Sequence, residues 1–393
     1  MNDTPKRVAL FGSTGSIGTS ALDVLRHHRD RFTLVAIAAR SRFELLVEQA
    51  REFRPPVAII TNPSSEQAVL EAQESLQADG IVTEFMIGEQ ALVDVAREAG
   101  YDIMLGAITG AAGLPANMEV VKRGKRLALA NKESLVMTGP LLTRLARKSG
   151  AELLPVDSEH SAVWQCLRGE RTSEVKRIIL TASGGPFRQT PLDRLAHVTR
   201  DEALRHPTWT TMGKKITVDS ATMMNKALEV IEARWLFDIE PERLDVVIHP
   251  QSIVHSMVEF RDGSVIAQLG PNDMRLPVQF ALTYPERLET PAPTLELNQF
   301  ASLTFETLED RRFPAVRLGF QVARAGGTAG AVFNAANEIA VEAFLKGEIG
   351  YLDIVRTVEA VLGQHSVQGA DTLDAVLDAD RWAREQARKK IHR

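Results

Sequence analysis

Val8-Ala9-Leu10-Phe11-Gly12-Ser13-Thr14-Gly15-Ser16-Ile17-Gly18 is the stretch on which the fold turns. Four apolar residues suit a buried strand, glycines follow at three-residue spacing, and Thr19-Ser20-Ala21 opens a helix-period segment. Glycines at such a turn permit the tight bend, let the backbone approach a pyrophosphate and let helix pack closely on strand. The helix N-terminus adds amide donors and the positive end of a dipole. The spacing is G-x-x-G-x-x-G, so the glycines alone also fit an ordinary turn. Their place after a first strand and before a helix favours a dinucleotide loop.

Around this stretch, apolar runs at 7–11, 33–39, 57–61, 102–106, 126–130 and 152–156 alternate with helix-period segments. That is the pattern of a parallel sheet with crossover helices, an α/β Rossmann-like domain over 1–156. Residues 157–289 change character, with helices expected near 161–167 and at 220–237 and strands at 177–180, 246–248 and 265–268. They read as an α+β catalytic domain. Segment 284–293 carries three prolines and little periodicity, so it reads as linker, and the domain-to-domain connection is set at 290–313. From 314 to 393, apolar residues recur at three- and four-residue spacing, as in a small helical domain. Neither a fixed-period repeat nor a low-complexity tract occurs.

The chain of 393 residues has 46 basic and 51 acidic side chains, a balance that disfavours nucleic acid or an anionic membrane as partner. Basic residues that converge locally should instead bind a small anion. The single cysteine, Cys166, excludes an intrachain disulfide and fits a reducing compartment. It lies in an apolar helical stretch, where an inert buried thiol is expected. With neither a signal-peptide core nor a membrane-length apolar run, the expected location is cytoplasmic.

The second strand ends at Arg40-Ser41-Arg42, where an NAD enzyme places an acid for the ribose hydroxyl. Two arginines and a serine can hold a 2′-phosphate instead, which favours NADP; solvated surface charge is the plainer reading. Asn131-Lys132-Glu133 and Asp157-Ser158-Glu159-His160 follow two further strands, at the sheet end where ligands bind. Asp157 and Glu159 can converge on one hard cation, magnesium or manganese, or can equally cap a helix. Thr181-Ala182-Ser183-Gly184-Gly185-Pro186 has the small residues of a phosphate cradle. A helix starting at Ser220 would put Asn225 and Glu229 on one face with Lys226 beside them, a donor set for phosphate plus one metal ligand. An ordinary surface Lys–Glu pair fits that spacing too. The loop 206–213, with His206, Trp209 and Gly213, has the makings of a lid.

Together these motifs resemble the deoxyxylulose phosphate reductoisomerases. The resemblance also takes in Ser183-Gly184-Gly185-Pro186-Phe187, Asp219-Ser220-Ala221-Thr222-Met223-Met224-Asn225-Lys226, His249-Pro250-Gln251-Ser252 and Asn334-Ala335-Ala336-Asn337-Glu338, and it covers nearly the whole chain. It implies an NADPH-dependent conversion of 1-deoxy-D-xylulose 5-phosphate to 2-C-methyl-D-erythritol 4-phosphate in the non-mevalonate isoprenoid route, by a homodimer requiring Mg2+ or Mn2+. It further implies that Asp157, Glu159 and Glu229 hold the metal. Lys132, Ser158, Glu159, Ser183, His206, Trp209, Ser220, Asn225, Lys226 and Glu229 surround the substrate. Ser183, Ser220, Asn225 and Lys226 face its phosphate, and Lys132, Glu159, Glu229 and His206 serve catalysis. Thr14, Gly15, Ser16, Ile17, Asn131, Glu133 and Gly213 contact NADPH, with Arg40, Ser41 and Arg42 at the 2′-phosphate. Three departures accompany the match: a lid longer by one residue, Ala227 where glycine is usual, and Pro271-Asn272 in reversed order.

Two other classes remain open at this point. A metal-dependent isomerase or aldolase would use the glycine loop for the sugar phosphate alone. An NADP-sensing regulator would have no use for Glu229 as a metal ligand in the second domain.

Overall fold

The computed structural model describes residues 4–209 and 213–392. Contacts gather the chain into two compact units. The first comprises residues up to Asn131, Arg144–Asp157 and Asp273–Pro293; the second comprises Lys132–Thr143, Ser158–Asn272 and Thr294–Arg393.

In the first unit, β1 (Lys6–Phe11), β2 (Phe32–Ala39), β3 (Val57–Ile60), β4 (Glu84–Ile87), β5 (Ile103–Gly106), β6 (Arg126–Leu129) and β7 (Leu153–Pro155) form one sheet. Its order is β4-β3-β2-β1-β5-β6-β7, and every neighbouring pair is parallel. The chain leaves β1 for β2 on one side, and β5 enters on the other, so the order reverses beside β1. Ligands of open α/β sheets bind at that reversal. Residues Val8 to Phe11 are buried, as a central parallel strand covered on both faces requires. Edge strand β4 escaped the sequence reading because its pattern, Glu84-Phe85-Met86-Ile87, buries neither face fully.

The proline-bearing segment 284–293, and with it residues 273–283 of the expected catalytic domain, folds onto this unit, whereas 294–313 of the expected connection fall in the second. Helix Arg275–Thr283 packs on Ser16–His27 and on β6 and β7. Arg126 Nη1 donates to the Tyr284 carbonyl at 2.8 Å, and His28 Nε2 lies 3.0 Å from the Glu289 carbonyl. Prolines break periodicity without preventing such docking.

The second unit has a mixed sheet of β8 (Val175–Ala182), β9 (Leu244–Ile248), β10 (Val254–Phe260), β11 (Val265–Leu269) and β12 (Glu306–Thr307). Its order is β11-β10-β8-β9-β12, with only β8 and β9 parallel. Strand β10 was not expected, because His255, Ser256 and Glu259 interrupt its apolar pattern. All three are buried, and Thr181 Oγ1 donates to the His255 carbonyl at 2.7 Å. Helix Ser158–Cys166 packs on β10 and β11, and Met224–Leu236 packs on Pro314–Ala325. Helix Ala329–Lys346 is buried nearly all round and lies against Tyr351–Gly363 and Leu373–Ile391. A helix without a polar face needs cover on every side, which draws the C-terminal helices into this unit.

The helix expected over 220–237 is two helices, Lys214–Thr222 and Met224–Leu236, separated by Met223 at φ 61°. Ser220 therefore sits in the last turn of the first helix and not at the start of the second. Of the expected lid 206–213, residues 210–212 lie outside the described residues. No described helix is long and apolar enough to cross a membrane.

The departure at Ala227 is a packing matter in this chain. A Cβ on Gly319 would fall 2.7 Å from Ala227 Cα and 2.8 Å from its Cβ. Gly319→Ala should therefore destabilise by about 1–3 kcal/mol through overpacking. Two of the three atoms met are Ala227 backbone, its Cα at 2.7 Å and its carbonyl oxygen at 2.8 Å, so adding Ala227→Gly should recover little of the loss, and denaturant unfolding of the two single variants and the double variant measures the coupling.

Candidate active site

The glycine loop between β1 and helix Ser16–His27 is built around backbone proximity. Gly12 has φ 92°, and a Cβ there would meet the Ala107 carbonyl oxygen at 2.5 Å. A Cβ on Gly18 would lie 2.2 Å from the Gly12 oxygen, so only glycine lets the helix start against the turn. No side chain caps this helix, which leaves its first amides, those of Ser16 and Ile17 among them, available to an anion. Ser13 Oγ donates to Gln49 Oε1 at 2.6 Å, and Gln49 Nε2 returns a bond to the Ser13 carbonyl at 3.1 Å. Arg42 Nη1 donates to the Thr14 carbonyl at 2.9 Å. Arg40, Ser41 and Arg42 are exposed at the end of β2. Asn131 is buried, its Nδ2 bonded to the Ile108 and Gly110 carbonyls at 2.6 and 2.9 Å.

In the second unit, two lysines and two carboxylates meet almost out of solvent. Lys226 Nζ bonds Glu159 Oε1 at 3.0 Å and also bonds Glu229 Oε2. Lys132 Nζ reaches Asn225 Oδ1 at 2.8 Å and Glu229 Oε1 at 3.2 Å. Asn225 Nδ2 donates to that same Glu229 oxygen at 2.5 Å. Ser158 Oγ donates to Glu159 Oε2 at 2.5 Å, and the Glu229 side chain is wholly buried. Carboxylates from helices Ser158–Cys166 and Met224–Leu236 thus converge on a single ammonium, a donor set of hard oxygens that suits a small divalent cation. Asp157, two residues before Glu159, ends the first unit's β7 segment.

A second group adjoins in charge. His206 Nε2 lies 2.9 Å from Ser220 Oγ and 3.2 Å from Ser183 Oγ. His206 Nδ1 accepts from the amides of Thr208 and Trp209 at 3.2 and 2.9 Å. Amides only donate, so the neutral ring carries its proton on Nε2, facing the serines. Burial pushes the imidazole down to about 4, against the opposing pull of the Glu159 charge. Gly184 and Gly185 have φ 81° and 64°, and a Cβ on Gly185 would meet the Ser220 carbonyl oxygen at 2.7 Å. This close approach brings the 183–186 loop beside the end of helix Lys214–Thr222.

The expected substrate residues Lys132, Ser158, Glu159, Ser183, His206, Trp209, Ser220, Asn225, Lys226 and Glu229 all fall in the second unit. Of the expected cofactor residues, Thr14 to Ile17, Arg40 to Arg42 and Asn131 belong to the first unit; Glu133 and Gly213 belong to the second.

Several groups escaped the sequence reading. His160 and Glu232 are fully buried with Nδ1 and Oε2 3.4 Å apart, while His160 Nε2 lies 3.0 Å from the Glu229 carbonyl. His255 is buried, which lowers its pKa, and it senses the charges of Glu159 and Lys226. The spacing of Glu232, three past Glu229 on the same helix, was the available signal. Cys166 plays no part here; burial pushes its thiol up to about 11.

Family models described as 1-deoxy-D-xylulose 5-phosphate reductoisomerase, its C-terminal domain, and DXP reductoisomerase C-terminal domain match residues 8–139, 153–237 and 269–386. A Chlorobaculum tepidum protein with the first of those names is 50% identical over 386 residues, covering 98% of this chain and 100% of the relative. A Pseudomonas paraeruginosa namesake is 49% identical over 388 residues, 98% of this chain and 97% of its own. The Zymomonas mobilis reductoisomerase, solved in complex with NADPH, superposes with a TM-score of 0.91 at 43% identity, covering 99% of both chains. A DOX-P reductoisomerase solved with NADPH, fosmidomycin and magnesium gives 0.92 at 39% identity over 98% of both. With such identity over nearly its full length, the chain belongs to the 1-deoxy-D-xylulose 5-phosphate reductoisomerase family.

Proposed function

We propose that this chain reduces and isomerises 1-deoxy-D-xylulose 5-phosphate to 2-C-methyl-D-erythritol 4-phosphate, using NADPH and a divalent cation, in the non-mevalonate route to isoprenoid precursors. The observation that carries the reading is the convergence of Glu159 and Glu229 on the Lys226 ammonium. Relatives solved with NADPH and with magnesium support it. We assign Asp157, Glu159 and Glu229 to the cation, Mg2+ or Mn2+. When bound, the cation supplies Lewis acidity to the substrate's oxygens and NADPH supplies the hydride.

Lys132, held by Asn225 and Glu229, presents a fixed positive charge where negative charge develops on the substrate. Ser183, Ser220, Asn225 and Lys226 bind the phosphate, and the His206 Nε2 proton aligns the two serine hydroxyls. Ser158 orients Glu159. Trp209 closes over the substrate with Gly213 as hinge, which excludes water. Thr14, Gly15, Ser16, Ile17, Asn131, Glu133 and Gly213 hold NADPH, and Arg40, Ser41 and Arg42 take its 2′-phosphate. We further propose a cytoplasmic homodimer. Edge strand β11 supports a second copy as partner, since it exposes Val265, Ile266 and Leu269 beside a strand edge that no other described strand pairs.

The direct test is NADPH oxidation with deoxyxylulose phosphate, with and without chelator. Consumption that needs both substrate and cation is expected, and consumption that ignores the chelator would remove the cation site. Replacing Arg40 and Arg42 together should weaken NADPH binding by about 1.5–3 kcal/mol per lost charge-assisted bond and leave NADH binding unchanged, as nicotinamide fluorescence titration will show. Glu229→Gln should depress turnover, with partial recovery at high manganese. Lys226→Ala should raise the substrate KM without metal rescue, because a phosphate contact serves ground and transition states alike.

A further inference from the structure

Lys215 stands where a lysine is locally unfavourable. It occupies the first turn of helix Lys214–Thr222, against the positive end of the dipole, and that turn holds no acidic residue. Its ammonium is nevertheless fixed, 2.7 Å from Asp219 Oδ2 and 3.3 Å from Glu133 Oε1. Both carboxylates are buried. From helix Ala329–Lys346, Asn337 Nδ2 donates to the other Asp219 oxygen at 2.9 Å. Burial alone would lower the Lys215 pKa, but the Asp219 and Glu133 charges more than offset it and hold it above the ordinary lysine value. A solvated lysine at this position would find Asp219 one turn along the same helix. It would not also reach a buried acid from a segment 82 positions earlier.

Each of the two carboxylates adjoins a residue assigned above to the substrate. Glu133 follows Lys132, and Asp219 precedes Ser220. We propose that Lys215 is a positioning residue for the reaction: its ammonium ties the segment carrying Lys132 to the helix turn carrying Ser220, and so sets the spacing between the charge-stabilising and phosphate-binding ends of the substrate site. The inference rests on the functional reading given above. Without the ammonium, Glu133 and Asp219 would stay buried near one another without their shared counter-charge, and the two segments would move apart.

The test compares full-length wild type, Lys215→Met, Lys215→Arg and Asp219→Asn by steady-state kinetics, NADPH fluorescence titration and thermal unfolding. Lys215→Met should raise the KM for deoxyxylulose phosphate and lower kcat, each by about tenfold, because substrate is held loosely and off its reactive geometry. Lys215→Arg, which keeps the charge, should recover most of the loss. A lowered unfolding temperature with KM and kcat at wild-type values would overturn the proposal, since a purely structural lysine predicts that pattern. Should Lys215→Met fail to fold, Asp219→Asn keeps the side-chain shape and decides: a raised KM in the folded variant supports the tie, and an unchanged KM overturns it. An inactive wild type would overturn the functional reading and this inference with it. Active wild type with unaffected variants would overturn the inference alone.

Discussion

The ammonium of Lys226, shared by Glu159 and Glu229, is the contact around which the candidate site of the second unit is arranged. Buried ion pairs are poor stabilisers, because desolvating the charges can cost more than their attraction returns. A well-packed apolar cluster would hold helices Ser158–Cys166 and Met224–Leu236 together at least as firmly. Four charged groups kept there in place of apolar ones are best explained by chemistry. The surrounding fold works to keep them. His160 bonds the Glu229 carbonyl from the neighbouring helix, and Pro314–Ala325 packs along Met224–Leu236. Met223 takes a left-handed φ that few non-glycine residues adopt, which lets Ser220 and Asn225 come from two differently directed helices.

How far the sequence announces all this depends on whether a feature is local. The glycine loop is legible because its requirements are met within eleven consecutive residues: strand, turn and helix start are neighbours in the chain. The place of Arg40 to Arg42 is legible for the same reason, at the end of a strand with a clear apolar pattern. Strand β10 is not, since its polar residues are buried within it and Glu259 is satisfied by Lys176 and Arg177, some eighty positions earlier. The helix break at Met223 also left no mark, because every residue from Ala221 to Met224 suits a helix interior well enough. For that reason Ser220 was expected at a helix start although it lies at a helix end.

The candidate site shows the same division. Spacing placed Asn225 and Glu229 on one face, and it could not say whether that face met solvent or another carboxylate. The wholly buried Glu229 side chain decides against the surface-pair reading. Lys215 and Glu232 carried no motif of their own; each is significant only for the buried group it touches, and Asn337, within a recognisable run, had no role until its bond to Asp219 was placed.

These two kinds of site differ in what they tolerate. The glycine loop offers mainly backbone amides, so its side chains can vary wherever no Cβ clash arises, and Gly12 and Gly18 are fixed by contact distance alone. The charged cluster is made of side chains, so a change in one removes a counter-charge from another that is largely or wholly buried. Ala227 shows where variation fits between these limits. It lies beside Lys226 in sequence, yet it packs against Gly319, whose missing side chain lets the two helices approach this closely. The extra volume is absorbed between two helices, and the ammonium one residue away keeps its place between the carboxylates.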